Sequence, residues 1–83
     1  MKLTSSIVVT ELSKEEQKHI MTLFANEDKK LNNNRASYNI TQEDGTITFS
    51  ILASDAVALR AMLTGIGKTL AIYHKTKELT TNE

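Results

Sequence analysis

Apolar and polar residues alternate at the start of the chain, with Leu3, Ser5, Ile7 and Val9 on one side and Thr4, Ser6, Val8 and Thr10 on the other. A period of two among β-branched residues predicts a strand over 2–11, and Val8 makes its second face partly apolar. Ser13 stands three residues before Glu16, the spacing of a capping box that satisfies the free amides of a helix start. The helix expected there spans 14–26, with Ile20, Leu23 and Phe24 on one side, Met21 beside them, and Lys14, Glu15 and Lys18 toward water. The polar run 28–35, which holds Asn32, Asn33 and Asn34, lacks periodicity and is expected to be an exposed loop. Alternation returns at Ala36, Tyr38 and Ile40, for a strand over 35–42, and at Ile47, Phe49 and Ile51, for a strand over 46–53. Glu43-Asp44-Gly45 supplies turn residues that join the two as a hairpin.

Ser54 or Asp55 caps a long last helix over 55–78, which has no proline and is dominated by Ala, Leu, Met and Lys; residues 79–83 form a polar tail. On a helical wheel Leu59, Met62, Leu63, Ile66, Leu70 and Tyr73 share the arc expected to lie on the sheet. A second arc of Ala58, Ala61, Gly65 and Ile72 is surplus to that packing, which suits close approach by another element. Either a partner protein or the first helix of the same chain could cover it. The order β-α-β-β-α predicts one α+β domain, 1–83, with a three-stranded antiparallel sheet of order 1-3-2 and both helices on one face. Such a sheet has two bare edges that invite a second copy.

A chain of 83 residues supports only a thin core, and the absence of cysteine removes disulfides and thiolate metal sites as reinforcement. Association is the natural remedy. Ten basic and ten acidic residues leave no net field to steer the molecule toward a polyanion. The N-terminal apolar run is too short for a signal segment, and no stretch approaches the roughly 20 apolar residues of a membrane span, so a cytoplasmic location is expected. The sequon Asn39-Ile40-Thr41 carries no weight without a secretory route.

Candidate chemistry is sparse. Gly65-Ile66-Gly67-Lys68-Thr69 imitates the end of a phosphate-binding loop, but Met62 occupies the position of its first glycine and no strand precedes it. Two glycines within a helix are better explained by close backbone approach of another element. His19 and His74 lie on different helices without ligand spacing, Ser13 and Ser54 are accounted for as caps, and Glu15 and Glu16 favour a helix N-terminus. Neither catalysis nor a metal or cofactor is expected. Lys29, Lys30 and Arg35 lie in and beside the polar loop, and Lys68, Lys75 and Lys77 crowd the end of the last helix, where the dipole favours them.

The run Ser54-Asp55-Ala56-Val57-Ala58-Leu59-Arg60-Ala61-Met62-Leu63-Thr64, opening a long helix after a hairpin, resembles the small dimerising subunit of the KEOPS (EKC) complex. The element order over the whole chain is similar as well. The resemblance implies a non-catalytic subunit that homodimerises and binds the catalytic threonylcarbamoyl-transferase subunit through a helical bundle. That complex makes N6-threonylcarbamoyladenosine at position 37 of tRNA. The family's helix motif falls on Leu59, Arg60, Ala61 and Leu63. Thr64 stands in place of the usual asparagine, Gly65 in place of serine, and Gly67 where an apolar residue is common, departures that suit a diverged paralogue pairing with the standard subunit.

The expected partner interface therefore comprises Ala58, Leu59, Arg60, Ala61, Met62, Leu63, Gly65, Lys68 and Ile72. Candidate tRNA contacts are Lys29, Lys30, Arg35, Lys75 and Lys77. Two other classes compete with this reading: a free-standing RNA-binding module built on the same cations, and a homodimeric ligand-binding or regulatory domain.

Overall fold

A computed structural model describes residues 1–25 and 35–81, with side chains of the last helix as far as Lys75. The elements are β1 (Leu3–Val9), α1 (Lys14–Ala25), β2 (Ala36–Glu43), β3 (Thr46–Ala53) and α2 (Ala56–Thr81). The expected bounds hold to within a few residues, and α2 runs three residues beyond Glu78, into the stretch expected to be a tail. Residues 28–34 of the expected loop, with Lys29 and Lys30, lie outside the described residues.

The sheet is antiparallel in the order β1-β3-β2. Its register aligns Ile7, Phe49 and Ile40 in one row, and Leu3, Ala53 and Ala36 in another, so the apolar side of each strand meets the apolar side of its neighbour. Ile20 and Phe24 of α1 and Ala58, Met62 and Ile66 of α2 join these residues in one core, which places both helices on the same face. Phe24 and Phe49 have no exposed surface and cross edge to face at 4.7 Å, with Tyr38 6.3 and 6.1 Å from them. Burying each Phe side chain stabilises the fold by about 1.5–3 kcal/mol, so this trio is the centre of a small core. The other sheet face presents Thr4, Ser6, Val8, Asn39, Thr41, Ser50 and Leu52 outward.

The capping box forms as the spacing predicts: the Ser13 amide donates to Glu16 Oε1 at 2.8 Å and the Glu16 amide to Ser13 Oγ at 3.0 Å. Between β1 and this cap, Glu11 adopts φ 59°, turning the chain out of the sheet, and the Leu12 amide then donates to the carbonyl of Gly45 at 3.0 Å. Gly45 takes φ 79° in the hairpin turn, a conformation that strains any residue with a Cβ. Gln17 is 4% exposed beneath this turn. With its amide nitrogen toward the carbonyl of Glu43 (2.9 Å) and its oxygen toward the Gly45 amide (3.1 Å), both polar ends are satisfied. The reverse orientation leaves the nitrogen only long contacts to the carbonyls of Leu12 (3.4 Å) and Ser13 (3.3 Å), so the first is preferred.

Candidate partner interface

Asp55, rather than Ser54, is the N-cap of α2: its Oδ1 accepts from the Ala58 amide at 2.8 Å. Arg35 grips the same carboxylate with two bonds, Nη2 to Oδ1 at 3.0 Å and Nε to Oδ2 at 3.2 Å. The Ser54 amide donates to the Arg35 carbonyl at 2.9 Å, tying the start of β2 to the start of α2. The hydrogen bond from Arg35, followed by that from the Ala58 amide, holds the Asp55 carboxyl below its ordinary value, and Asp55 raises Arg35 in return. Arg35, expected as a tRNA contact, is thus engaged in a structural ion pair, still exposed on one side. Lys75 is exposed on α2, and the Lys77 side chain lies outside the described ones.

The structure redraws the two arcs of α2. Ala58, at 1% exposure, and Met62, at 6%, are covered by the chain's own core, as is Ile66 at 2%. Ala58 and Met62 therefore drop out of the expected partner interface: Ala58 because its wheel position lies at the margin where the sheet-facing arc begins, Met62 because it lies within that arc, as its wheel position implied. Leu59 and Leu63 are half-buried against that core. Arg60, Ala61, Gly65, Lys68 and Ile72 remain exposed.

A spacing of four, four, three and four residues aligns Val57, Ala61, Gly65, Lys68 and Ile72 along one side of α2. Val57 is 69% exposed and Ile72 62%, among the described residues the most open large apolar side chains after Met1. Between them the helix surface is low at Ala61 and Gly65, and Lys68 stands exposed next to Ile72. A Cβ placed on Gly65 or Gly67 would meet nothing within 4 Å, so among the described residues no element approaches either glycine. The close approach expected at these glycines is thus not made by any described residue of the chain. Val57 escaped the sequence reading, although it shares the stripe of Ala61 and Gly65 four and eight residues on.

The stretch resembling a phosphate loop lies inside α2, and the Thr69 hydroxyl donates to the Gly65 carbonyl at 3.1 Å as an ordinary helical side chain does. His19 packs edge-on against Tyr73 at 6.5 Å, at a groove of about 710 Å3 between α1 and α2 lined also by Lys14, Lys18 and Leu23. Among the described residues no group of three or more His, Asp or Glu side chains converges in a metal-binding geometry. By length and composition alone, Ala56–Lys75 is long and apolar enough to cross a membrane, which brings α2 nearer to a span than the sequence reading allowed. Its Ala58, Met62 and Ile66 side is nevertheless committed to the sheet. Comparison with protein-family models, curated proteins and solved structures finds no match for the chain.

Proposed function

We propose that this chain is a non-catalytic accessory subunit that self-associates and docks on a larger partner through the outer face of α2. The observation that carries the reading is the Val57-Ala61-Gly65-Lys68-Ile72 stripe, apolar at both ends and low at Ala61 and Gly65, which nothing among the described residues covers. Small residues at a spacing of four let another helix come close enough for backbone contact. The partner is accordingly a helical surface, not a small molecule.

The particular form of the proposal follows from the resemblance in α2: a KEOPS-type subunit, or a diverged paralogue of it, that binds the catalytic threonylcarbamoyl-transferase subunit in the cytoplasm. In this role the chain supports N6-threonylcarbamoyladenosine formation at position 37 and meets tRNA only through the complex. Arg60 and Ala61 of the Leu-Arg-Ala motif face outward on α2, where a partner can reach them, and support this form.

Co-purification of the chain with the catalytic subunit from the same cell tests the proposal. Binding should be lost on Ile72→Glu, which replaces the apolar end of the stripe with a charge at a position 62% exposed, outside the core. Retention of the partner by a folded Ile72→Glu variant would remove this face from consideration, and failure of the wild-type chain to bind would remove the KEOPS form of the proposal.

A further inference from the structure

The groove between α1 and α2 lies apart from the docking stripe. The helices come together where His19 packs edge-on against Tyr73 at 6.5 Å, and they part beside that contact to leave about 710 Å3. Small-molecule sites enclose roughly 300–1,000 Å3, so the space suits a ligand of that class. Tyr73 belongs to the sheet-facing arc of α2, about 100° around the helix from Ile72, and the groove and the stripe therefore open in different directions.

Apart from Tyr73, the lining comes from one side of α1, and its chemistry changes in order around that helix. At about 100° per residue, Leu23 and His19 come first, Glu15 and Thr22 follow, and Lys18 and Lys14 close the series on the opposite flank from Leu23. All of these α1 side chains are exposed, although the helix is anchored in the core by Ile20 and Phe24. Among the described residues the side chains of Lys14, Glu15 and Lys18 have no ion-pair or hydrogen-bond partner, so three charged groups border the groove uncommitted.

The sequence of surfaces is thus an apolar and aromatic wall, then a carboxylate and a hydroxyl, then two ammonium groups. A nucleotide carries its groups in the matching order: a flat base, a sugar with adjacent hydroxyls, a phosphate. Aromatic rings give any of the four bases a contact surface. A carboxylate accepts from ribose hydroxyls, as it does in dinucleotide sites. Two lysines one helical turn apart can bracket a single phosphate with charge-assisted bonds. A nucleic-acid strand would need a continuing track of cations, whereas α1 has no lysine or arginine beyond these two, and Glu15 repels a second phosphate on the ring side.

We propose that this groove binds a single ribonucleoside monophosphate, its base against Tyr73, His19 and Leu23, its ribose hydroxyls at Glu15 and Thr22, and its phosphate between Lys14 and Lys18. Ring contact serves every base, so the ribose and the phosphate define the class. The site goes beyond the docking function and stands without it, because none of its residues belongs to the Val57-Ile72 stripe.

The test titrates the whole chain with AMP, GMP, CMP and UMP and follows its amide chemical shifts by NMR. At least one nucleotide should shift the amides of α1 from Lys14 to Leu23 together with that of Tyr73, and its nucleoside should bind about tenfold more weakly for want of the phosphate. Lys14→Gln with Lys18→Gln, both on exposed surface, should weaken the nucleotide by about the same factor and leave the nucleoside unchanged, a split that damage to the fold would not produce. The 2′,3′-dideoxy nucleotide should bind the wild type more weakly than the ribonucleotide does, and Glu15→Ala should shrink that difference. Absence of shifts with all four nucleotides at millimolar concentration would overturn the proposal. Equal shifts from inorganic phosphate would mean an adventitious ion only, and would overturn it too. Tighter, steeply salt-dependent binding of an RNA oligonucleotide at the same residues would overturn the choice of a single nucleotide.

Discussion

Replacing Gly65 with leucine sets stability and docking against each other. Gly65 is helical and exposed, and a Cβ there has open space to 4 Å, so a side chain can leave the helix without meeting any described residue. Glycine in a helix interior is less favourable than alanine by about 0.8–1 kcal/mol, and leucine is close to alanine. The variant should therefore be more stable by roughly 0.5–1 kcal/mol, which for a domain of this size raises Tm by roughly 3–6 °C. On the proposed docking face the same side chain fills the low ground that a partner helix needs, so co-purification with the catalytic subunit should be lost. Gly65→Ala is the control. It should gain similar stability, because the backbone term is the same, yet keep the partner, because a methyl group still permits close approach. Thermal melts must be run at one protein concentration, since self-association makes Tm concentration-dependent. A destabilised Gly65→Leu protein would refute the open surface, and a stabilised one that binds as well as wild type would refute its use in docking.

Ser13→Ala removes one half of the reciprocal cap on α1 and should destabilise the fold by about 1 kcal/mol in urea denaturation, with the slope unchanged. Met62→Ala opens a cavity beneath α2 and should cost about 2–5 kcal/mol, which in so small a core is a large share of the total. The Asp55 carboxyl is held below its ordinary 3.8 in the folded chain, first by the Arg35 hydrogen bond and then by the Ala58 amide. Its contribution to stability is therefore complete above that value and is lost as pH falls through the lower folded value. Arg35→Ala should move the Asp55 titration upward, as read by carboxyl NMR shifts, and should make the acid loss of stability shallower; an unmoved titration would refute the assigned cause.

The sequence by itself determined the elements, their order and most of the core. Alternation in β1, β2 and β3, interrupted at Val8 and Leu52, fixed which side of each strand is apolar, because a strand turns its side chains by half a revolution per residue. The Ser13–Glu16 spacing fixed the start of α1, because the capping bonds are local and depend on nothing beyond four residues. With the right-handed crossover, those elements sufficed for the sheet order β1-β3-β2 as well.

What the tertiary structure alone decided is which surfaces are left over. A helical wheel ranks residues by direction but carries no information on where the sheet beneath begins and ends, so Ala58 was placed outside the core it belongs to. Arg35 read as a free cation because its partner, Asp55, lies 20 residues away and only the β2–β3 hairpin brings the two together. Likewise the two sheet edges carry similar polar sequences, yet α1, crossing from β1 to β2, settles over β2 and leaves β1 half-covered. Coverage depends on how the layers sit on one another, a long-range property that local periodicity does not encode.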